Sequence, residues 1–170
     1  LPLAENMPSG SAYRPDDVIR MFNGKTVEVD NTDAEGRVVL GDVLAYASGS
    51  KPSVIIDMAT LTGACVVALG PYTAGLFGND PDLSASFREA STKTGERFWE
   101  LPMDDDRLRK KIRSDIADVL NSGGRYGGAI TAAMFLREFV GEGIKWLHLD
   151  IAGVDTSDEE YGYYRKGATG

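Results

Sequence analysis

Hydrophobic positions along the chain switch repeatedly between two spacings. Lys25 to Val29 alternates and carries β-branched residues, which predicts a strand. The apolar run Val38 to Ala47, just past Gly36 and Arg37, predicts a helix. Ser53-Val54-Ile55-Ile56-Asp57 is short, continuously apolar and β-branched, the pattern of a strand buried on both faces of a parallel sheet, and Gly63 to Leu69 behind it starts another helix. Ala74 to Phe77 reads as a short strand. Pro81 to Thr94 sets Leu83, Phe87 and Ala90 at helical spacing with a proline at its start, and Gly95 is placed to end it. In Asp104-Asp105-Asp106 followed by Arg107, Arg109, Lys110 and Lys111, acid comes first and base last, which complements the dipole of a solvated helix. Beyond the glycine-rich turn Ser122 to Gly128, Ala129 to Val140 carries Ile130, Met134, Phe135 and Phe139 on helical spacing, and Lys145 to Ile151 alternates into a strand. The tail from Thr156 is polar and looser. Strands alternating with helices mean an α/β fold; with no repeat, low-complexity tract or long polar linker, the pattern places no boundary inside the chain.

Composition narrows the function more than the fold. A chain of 170 residues, 42% hydrophobic, can bury one ordinary core. Its net charge of −8, without a long basic block, argues against nucleic acid or an anionic membrane as the main partner. The single cysteine, Cys65, excludes an internal disulfide framework and fits a reducing compartment, so a cytoplasmic location is the working expectation. Its neighbours Ala64, Val66 and Val67 predict a small buried hydrophobe rather than a reactive thiolate. No apolar run approaches the roughly 20 residues of a membrane span, and Leu1 to Asn6 lacks the layout of a signal peptide.

One histidine and one cysteine cannot build a His-rich or thiolate metal site, so the chemistry must lie among carboxylates. Their densest grouping is Asn31-Thr32-Asp33-Ala34-Glu35-Gly36-Arg37. Were this segment extended, Asp33, Glu35 and Arg37 would share a face, two carboxylates suited to divalent ions beside a guanidinium able to hold an oxyanion. The same letters also spell a capping box, Thr32-x-x-Glu35, ahead of an apolar helical run, with Asp33 favourable to the helix dipole. Spacing alone leaves both readings open. His148, in a strand-like segment, is expected to be a packed, hydrogen-bonded residue, and Asp57 ends an apolar strand, a place where catalytic groups can sit. The glycines around Arg125 match neither the dinucleotide fingerprint nor the P-loop, which leaves a tight turn into the following helix, bordering a catalytic cleft, and weakens a Rossmann-like cofactor binder as a third reading.

The run Asn31 to Arg37 resembles the signature of the leucyl (cytosol) aminopeptidase family, peptidase M17. Further strings fall in that family's order: Glu5-Asn6-Met7-Pro8, Ala12 to Val18, Ala59-Thr60-Leu61-Thr62-Gly63-Ala64, Gly123-Gly124-Arg125, Gly127 to Thr131, His148 to Gly153, and Lys166-Gly167-Ala168-Thr169-Gly170. Val38 stands where the signature usually has leucine, a conservative change. The resemblance spans essentially the whole chain. It implies a three-layer α/β/α domain with a central mixed, largely parallel sheet of zinc-exopeptidase type, and an aminopeptidase that removes N-terminal residues, leucine preferred, from peptides.

Carried over residue by residue, the resemblance makes Asp33 and Glu35 metal ligands, Glu35 bridging two divalent ions (Mn or Zn), and Arg37 the catalytic arginine, with a bicarbonate beside it. The ions would activate a water, and one would take the substrate's α-amine. Leu61 through its carbonyl and Gly63 through its N–H match positions that hold the substrate, beyond a strand end where open α/β sheets bind ligands. The family's remaining metal ligands and catalytic lysine belong to a Lys-Gly-x-x-Phe-Asp-Ser-Gly-Gly pattern that these 170 residues do not contain. The expectation is therefore a partial catalytic domain, inactive alone and hexameric only when full length, lacking the upstream segment and a separate N-terminal domain. A non-catalytic assembly or binding module of the same fold is the alternative; the intact Asp33, Glu35 and Arg37 favour the enzyme.

Overall fold

A computed structural model of the protein describes residues 1–162 and 164–169; Gly170, which closes the last of the family-like strings, lies outside them. In chain order the elements are β1 (Val18–Arg20), β2 (Thr26–Glu28), a 3-10 turn (Thr32–Ala34), α1 (Glu35–Ser48), β3 (Val54–Ala59), α2 (Gly63–Leu69), β4 (Ala74–Gly78), α3 (Pro81–Thr94), β5 (Phe98–Glu100), α4 (Asp106–Arg109) running into a second 3-10 turn (Lys110–Ile112), β6 (Val119–Leu120), α5 (Gly128–Arg137), β7 (Lys145–Asp150), β8 (Thr156–Ser157) and β9 (Gly167–Ala168). They gather into two compact units, each assembled from two stretches: Leu1–Ser53 with Asp104–Ile144, and Val54–Met103 with Lys145–Gly170.

In the first unit, β2 is the middle strand, antiparallel to β1 and parallel to β6, with Val27 opposite Val119. Helices α1 and α5 pack together, and Leu44, Met134, Phe135 and Phe139 are fully buried. Gly41 permits the approach: a Cβ there would lie 2.9 Å from the Phe139 ring. The sequence pattern predicts α5 as far as Val140, yet it ends at Arg137 because Glu138, Phe139 and Val140 donate to carbonyls three residues back, tightening the last turn into 3-10 geometry. At the other end, Gly127 adopts φ 69°, a left-handed turn that launches α5, as expected of the glycine-rich stretch.

The second unit is an α/β layer structure on a mixed sheet of order β3-β7-β4-β5. The β3–β7 and β4–β5 ladders are parallel and β4–β7 is antiparallel. Side-chain alternation sorts the two faces. Leu76, Leu147 and Leu149 point to the side on which Leu83 and Phe87 of α3 pack, whereas Gly75 faces Cys65 of α2, so a helix covers each face. Helix α3 starts on Asp80, whose side chain accepts from the Leu83 N–H, followed by Pro81, and stops at Gly95 with φ 82°.

The expectation that Ser53 to Asp57 is buried on both faces is corrected: β3 lies at the sheet's edge, and α3 packs chiefly on β4, β5 and β7. Ile56 and Met58 therefore remain 48% and 63% exposed. Among the described residues no helix is long and apolar enough to cross a membrane.

Candidate active site

Thr32 to Arg37 is helical, not extended, so of the two readings left open the shared strand face of Asp33, Glu35 and Arg37 does not form. Asn31, with extended backbone, accepts from the Asp33 N–H at 2.9 Å, and that bond starts the 3-10 turn from which α1 continues. The capping box is absent as well. Ala34 precedes α1 with no side-chain bond, because Asn31 has already turned the backbone before Thr32 could do so. Relieved of capping, Asp33 is exposed and Glu35 half-buried, and among the described residues neither carboxylate accepts a hydrogen bond or joins an ion pair. Tyr13, whose hydroxyl donates to the Thr32 carbonyl at 3.3 Å, has its pKa raised by burial and then by the negative charge of Glu35.

Arg37 is half-buried, and its Nη1 donates to the main-chain carbonyl of Asn121 at 3.0 Å. Asn121 is completely buried at the end of β6. Its Oδ1 accepts from the N–H groups of Asp30 (2.9 Å) and Asn31 (3.2 Å), and its Nδ2 donates to the Asn31 carbonyl at 2.7 Å. Sequence reasoning passes over this residue, because a lone asparagine after a two-residue strand carries no local signal.

In the second unit, Leu61 and Gly63 flank Thr62 on the turn from β3 into α2. Thr62 is the N-cap, its hydroxyl oxygen accepting from the Cys65 N–H at 3.0 Å. The turn is gathered by Asp150, a fully buried carboxylate at the end of β7. Oδ1 accepts from Leu61 N (3.1 Å), Thr62 N (3.3 Å) and Ala152 N (3.3 Å), while the Thr62 hydroxyl donates to Oδ2 at 2.7 Å. Asp150 is a second residue that sequence reasoning left without a role, although a carboxylate closing an apolar strand was a signal to follow.

The same sheet face carries Asp57, which bonds Nδ1 of His148 at 2.5 Å and accepts from Trp146 Nε1 at 2.6 Å. The two rings stack with centroids 6.3 Å apart. His148 is thus packed and hydrogen-bonded, as the sequence suggests, with Asp57 as its partner; the other ring nitrogen of His148, Nε2, is buried without a partner among the described residues. Cys65 behaves as expected too: it is buried, and burial, followed by the charge of Asp150, pushes its thiol up to about 11. A thiol held so far above neutrality is a poor nucleophile.

Asp33, Glu35 and Arg37 lie in the first unit, Leu61 and Gly63 in the second. The unengaged oxygens of Asp33 and Glu35 suit divalent cations such as Mn or Zn. They fit part of a metal site, since the described residues contain no group of three or more His, Cys, Asp or Glu side chains able to hold an ion.

Comparison with known proteins bears on that partial set. The family model described as "Cytosol aminopeptidase family, catalytic domain" matches residues 1–170. A probable cytosol aminopeptidase of Aquifex aeolicus is 73% identical over 167 residues, covering 98% of this chain and 34% of that protein. Another from Persephonella marina is 57% identical over 168 residues, with the same coverages of 98% and 34%. Among solved structures, a tomato leucine aminopeptidase mutant superposes with TM-score 0.90 at 48% identity, over 97% of this chain and 32% of that one. The bottromycin maturation enzyme BotP in complex with Mn gives 0.92 at 46%, over 98% and 37%. The chain spans about a third of the length of these relatives.

Proposed function

The chain belongs to the cytosol aminopeptidase family, and from that premise we propose that the whole protein releases N-terminal amino acids, leucine preferred, from peptides. Asp33 and Glu35 would hold divalent ions in this reading, two per subunit with Glu35 a ligand of both, and Mn or Zn would suit the donors. When bound, such ions lower the pKa of a water and polarise the scissile carbonyl. Arg37, with a bicarbonate beside it, would stabilise the oxygen on which negative charge builds; anchoring its guanidinium on Asn121 means little reorganisation would be needed as that charge develops. The Leu61 carbonyl and Gly63 N–H orient the peptide backbone, on a turn that Asp150 holds rigid before any substrate arrives.

The observation that carries this reading is the pair Asp33 and Glu35. Two carboxylates stand four and two residues ahead of an anchored arginine, both without a hydrogen-bond or ion-pair partner among the described residues; a favourable place in the first helical turn is the one structural benefit they have. Similarity to BotP, solved in complex with Mn, supports metal dependence. Further ligands would come from the remaining length of the relatives, so the 170 residues by themselves would turn over poorly. A cytoplasmic homohexamer is the proposed working form, acting on peptides and not on nucleic acid or membranes.

The test is hydrolysis of a leucine chromogenic amide with added Mn or Zn by the full-length protein, by its Glu35→Ala variant and by the 170-residue chain. Turnover by the first alone supports the aminopeptidase. A well-folded full-length protein silent with every divalent ion would hand the fold to a non-catalytic assembly role.

A further inference from the structure

We propose that Asn121 is the positioning residue of the catalytic segment: with its side chain it fixes where the chain enters the Asp33–Glu35 turn, and with its main-chain carbonyl it fixes the guanidinium of Arg37. The inference rests on the aminopeptidase reading, because it concerns the residues which that reading makes catalytic.

Position comes first. β2 and β6 run parallel, and Asn121, just past β6, continues their ladder by donating its N–H to the Glu28 carbonyl at 3.0 Å. The residue is thereby locked to the end of β2, beside the stretch that leaves that strand for the 3-10 turn. Its amide then meets three main-chain groups at once: the N–H of Asp30, the N–H of Asn31 and the carbonyl of Asn31. Only a side chain with an acceptor and a donor on one planar group can serve all three, which is the inventory of an amide. Aspartate lacks the donor, and serine is too short to span both sides.

The consequence reaches both carboxylates. Asn31 is the residue whose side chain begins the 3-10 turn by accepting from the Asp33 N–H, so fixing the Asn31 backbone on both its N–H and its carbonyl fixes the direction in which Asp33 and Glu35 leave it. Arg37 is tied to the same residue through the Asn121 carbonyl. One fully buried amide and its own carbonyl therefore set the relative placement of ligands and arginine, within a single compact unit. Residues behind metal ligands act in this way, holding them in the geometry the ion needs, and their loss commonly costs about 10–100-fold in metal affinity or activity.

The experiment compares full-length wild type, Asn121→Ala and Asn121→Asp by Mn titration calorimetry and by steady-state hydrolysis of a leucine amide, after circular dichroism confirms folding. Asn121→Ala is expected to bind Mn about 10–100-fold more weakly and to lose kcat by a similar factor, with KM within about twofold, because the turn at Leu61 to Gly63 is untouched. Asn121→Asp keeps the two accepted bonds but loses the donated one and turns a buried carboxylate oxygen toward the Asn31 carbonyl, so, once folding is confirmed, its loss should also reach about 10–100-fold. Were alanine to fail to fold, the aspartate variant alone would decide. Mn affinity and kcat within twofold of wild type in a folded variant would overturn the role of Asn121, as would a loss confined to KM. Wild type that neither binds Mn nor hydrolyses the amide would overturn the aminopeptidase reading and this one with it.

Discussion

Removing the Asp150 carboxylate should loosen the turn between β3 and α2 without unravelling the sheet. Asp150→Ala takes away the acceptor for Leu61 N, Thr62 N, Ala152 N and the Thr62 hydroxyl. Thr62 is buried, so its N–H and hydroxyl cannot turn to water, whereas Leu61 and Ala152 are half-buried and partly recover solvent. An unsatisfied buried donor costs about 1–3 kcal/mol. Two such donors, less the desolvation relieved when the carboxylate goes, give a local loss of about 3 kcal/mol. That corresponds to roughly a hundredfold shift in the opening equilibrium of the turn. Amide hydrogen exchange followed by mass spectrometry on a peptide covering Leu61 to Val66 reads this directly, since exchange tracks local opening. Asp150→Asn keeps an acceptor for the N–H groups but turns an N–H toward the Thr62 hydroxyl, and should speed exchange only about tenfold. If Asp150→Ala changed protection there by less than threefold while the rest of the sheet stayed protected, the claim that this carboxylate holds the turn would be wrong.

Further consequences follow from the same geometry. Asp57→Ala leaves Trp146 Nε1–H and His148 Nδ1 unpaired in the core and should destabilise the fold by about 3 kcal/mol in a urea titration, against under about 1 kcal/mol for an exposed acid such as Glu142. Cys65 has a folded pKa raised from 9.0 to about 11, so the folded state keeps its proton where the unfolded state has lost it; its contribution is complete below pH 9, declines as pH climbs from 9 to 11, and is gone above. Urea titrations across that window should show a decline of about 2–3 kcal/mol that Cys65→Ala abolishes, and iodoacetamide at pH 8 should leave the native thiol unmodified. Gly41→Ala sets helix propensity, worth about 1 kcal/mol in its favour, against a Cβ placed 2.9 Å from Phe139, an overpacking cost of about 1–3 kcal/mol. Because the Phe139 ring is buried and has little room to yield, the second effect should win and the melting temperature should fall.

What was legible in the sequence was whatever repeats along it. The helices Glu35–Ser48 and Pro81–Thr94 and the strands at Val54 and Lys145 carry enough periodic residues to declare themselves, and Pro81 with Gly95 marks both ends of one helix. Strand β1, three residues long, pairs locally with β2 but is too short to show a period, whereas β5 and β6, three and two residues long, owe their existence to partners farther away in sequence, as when Val119 pairs with Val27. No local pattern could announce them. The edge position of β3 was hidden for a related reason: an apolar β-branched run looks the same whether or not a helix reaches over it. The aminopeptidase resemblance drew attention to Asp33, Glu35 and Arg37 and to Leu61 and Gly63, but Asn121, which holds the first group, and Asp150, which holds the turn of the second, were out of view because each acts on a segment about ninety residues away. The capping box failed through competition: Asn31 offers an equally good cap one residue earlier, and two overlapping start signals cannot both be used.

The sheet order β3-β7-β4-β5 has a consequence for how the protein is made. The strand that joins the two halves of that sheet is the last of the four to leave the ribosome, with Ile56 of β3 waiting for Leu147 of β7. Throughout synthesis up to Ile144, β3 has no neighbour in this sheet and β4 pairs only with β5, so both edges of the apolar, β-branched β3 and the β7-facing edge of β4 are exposed to other nascent chains. A ribosome stalled before Lys145 would release an aggregation-prone product rather than a smaller folded one, and the late, long-range closure of the sheet sets a slow step in reaching the native state.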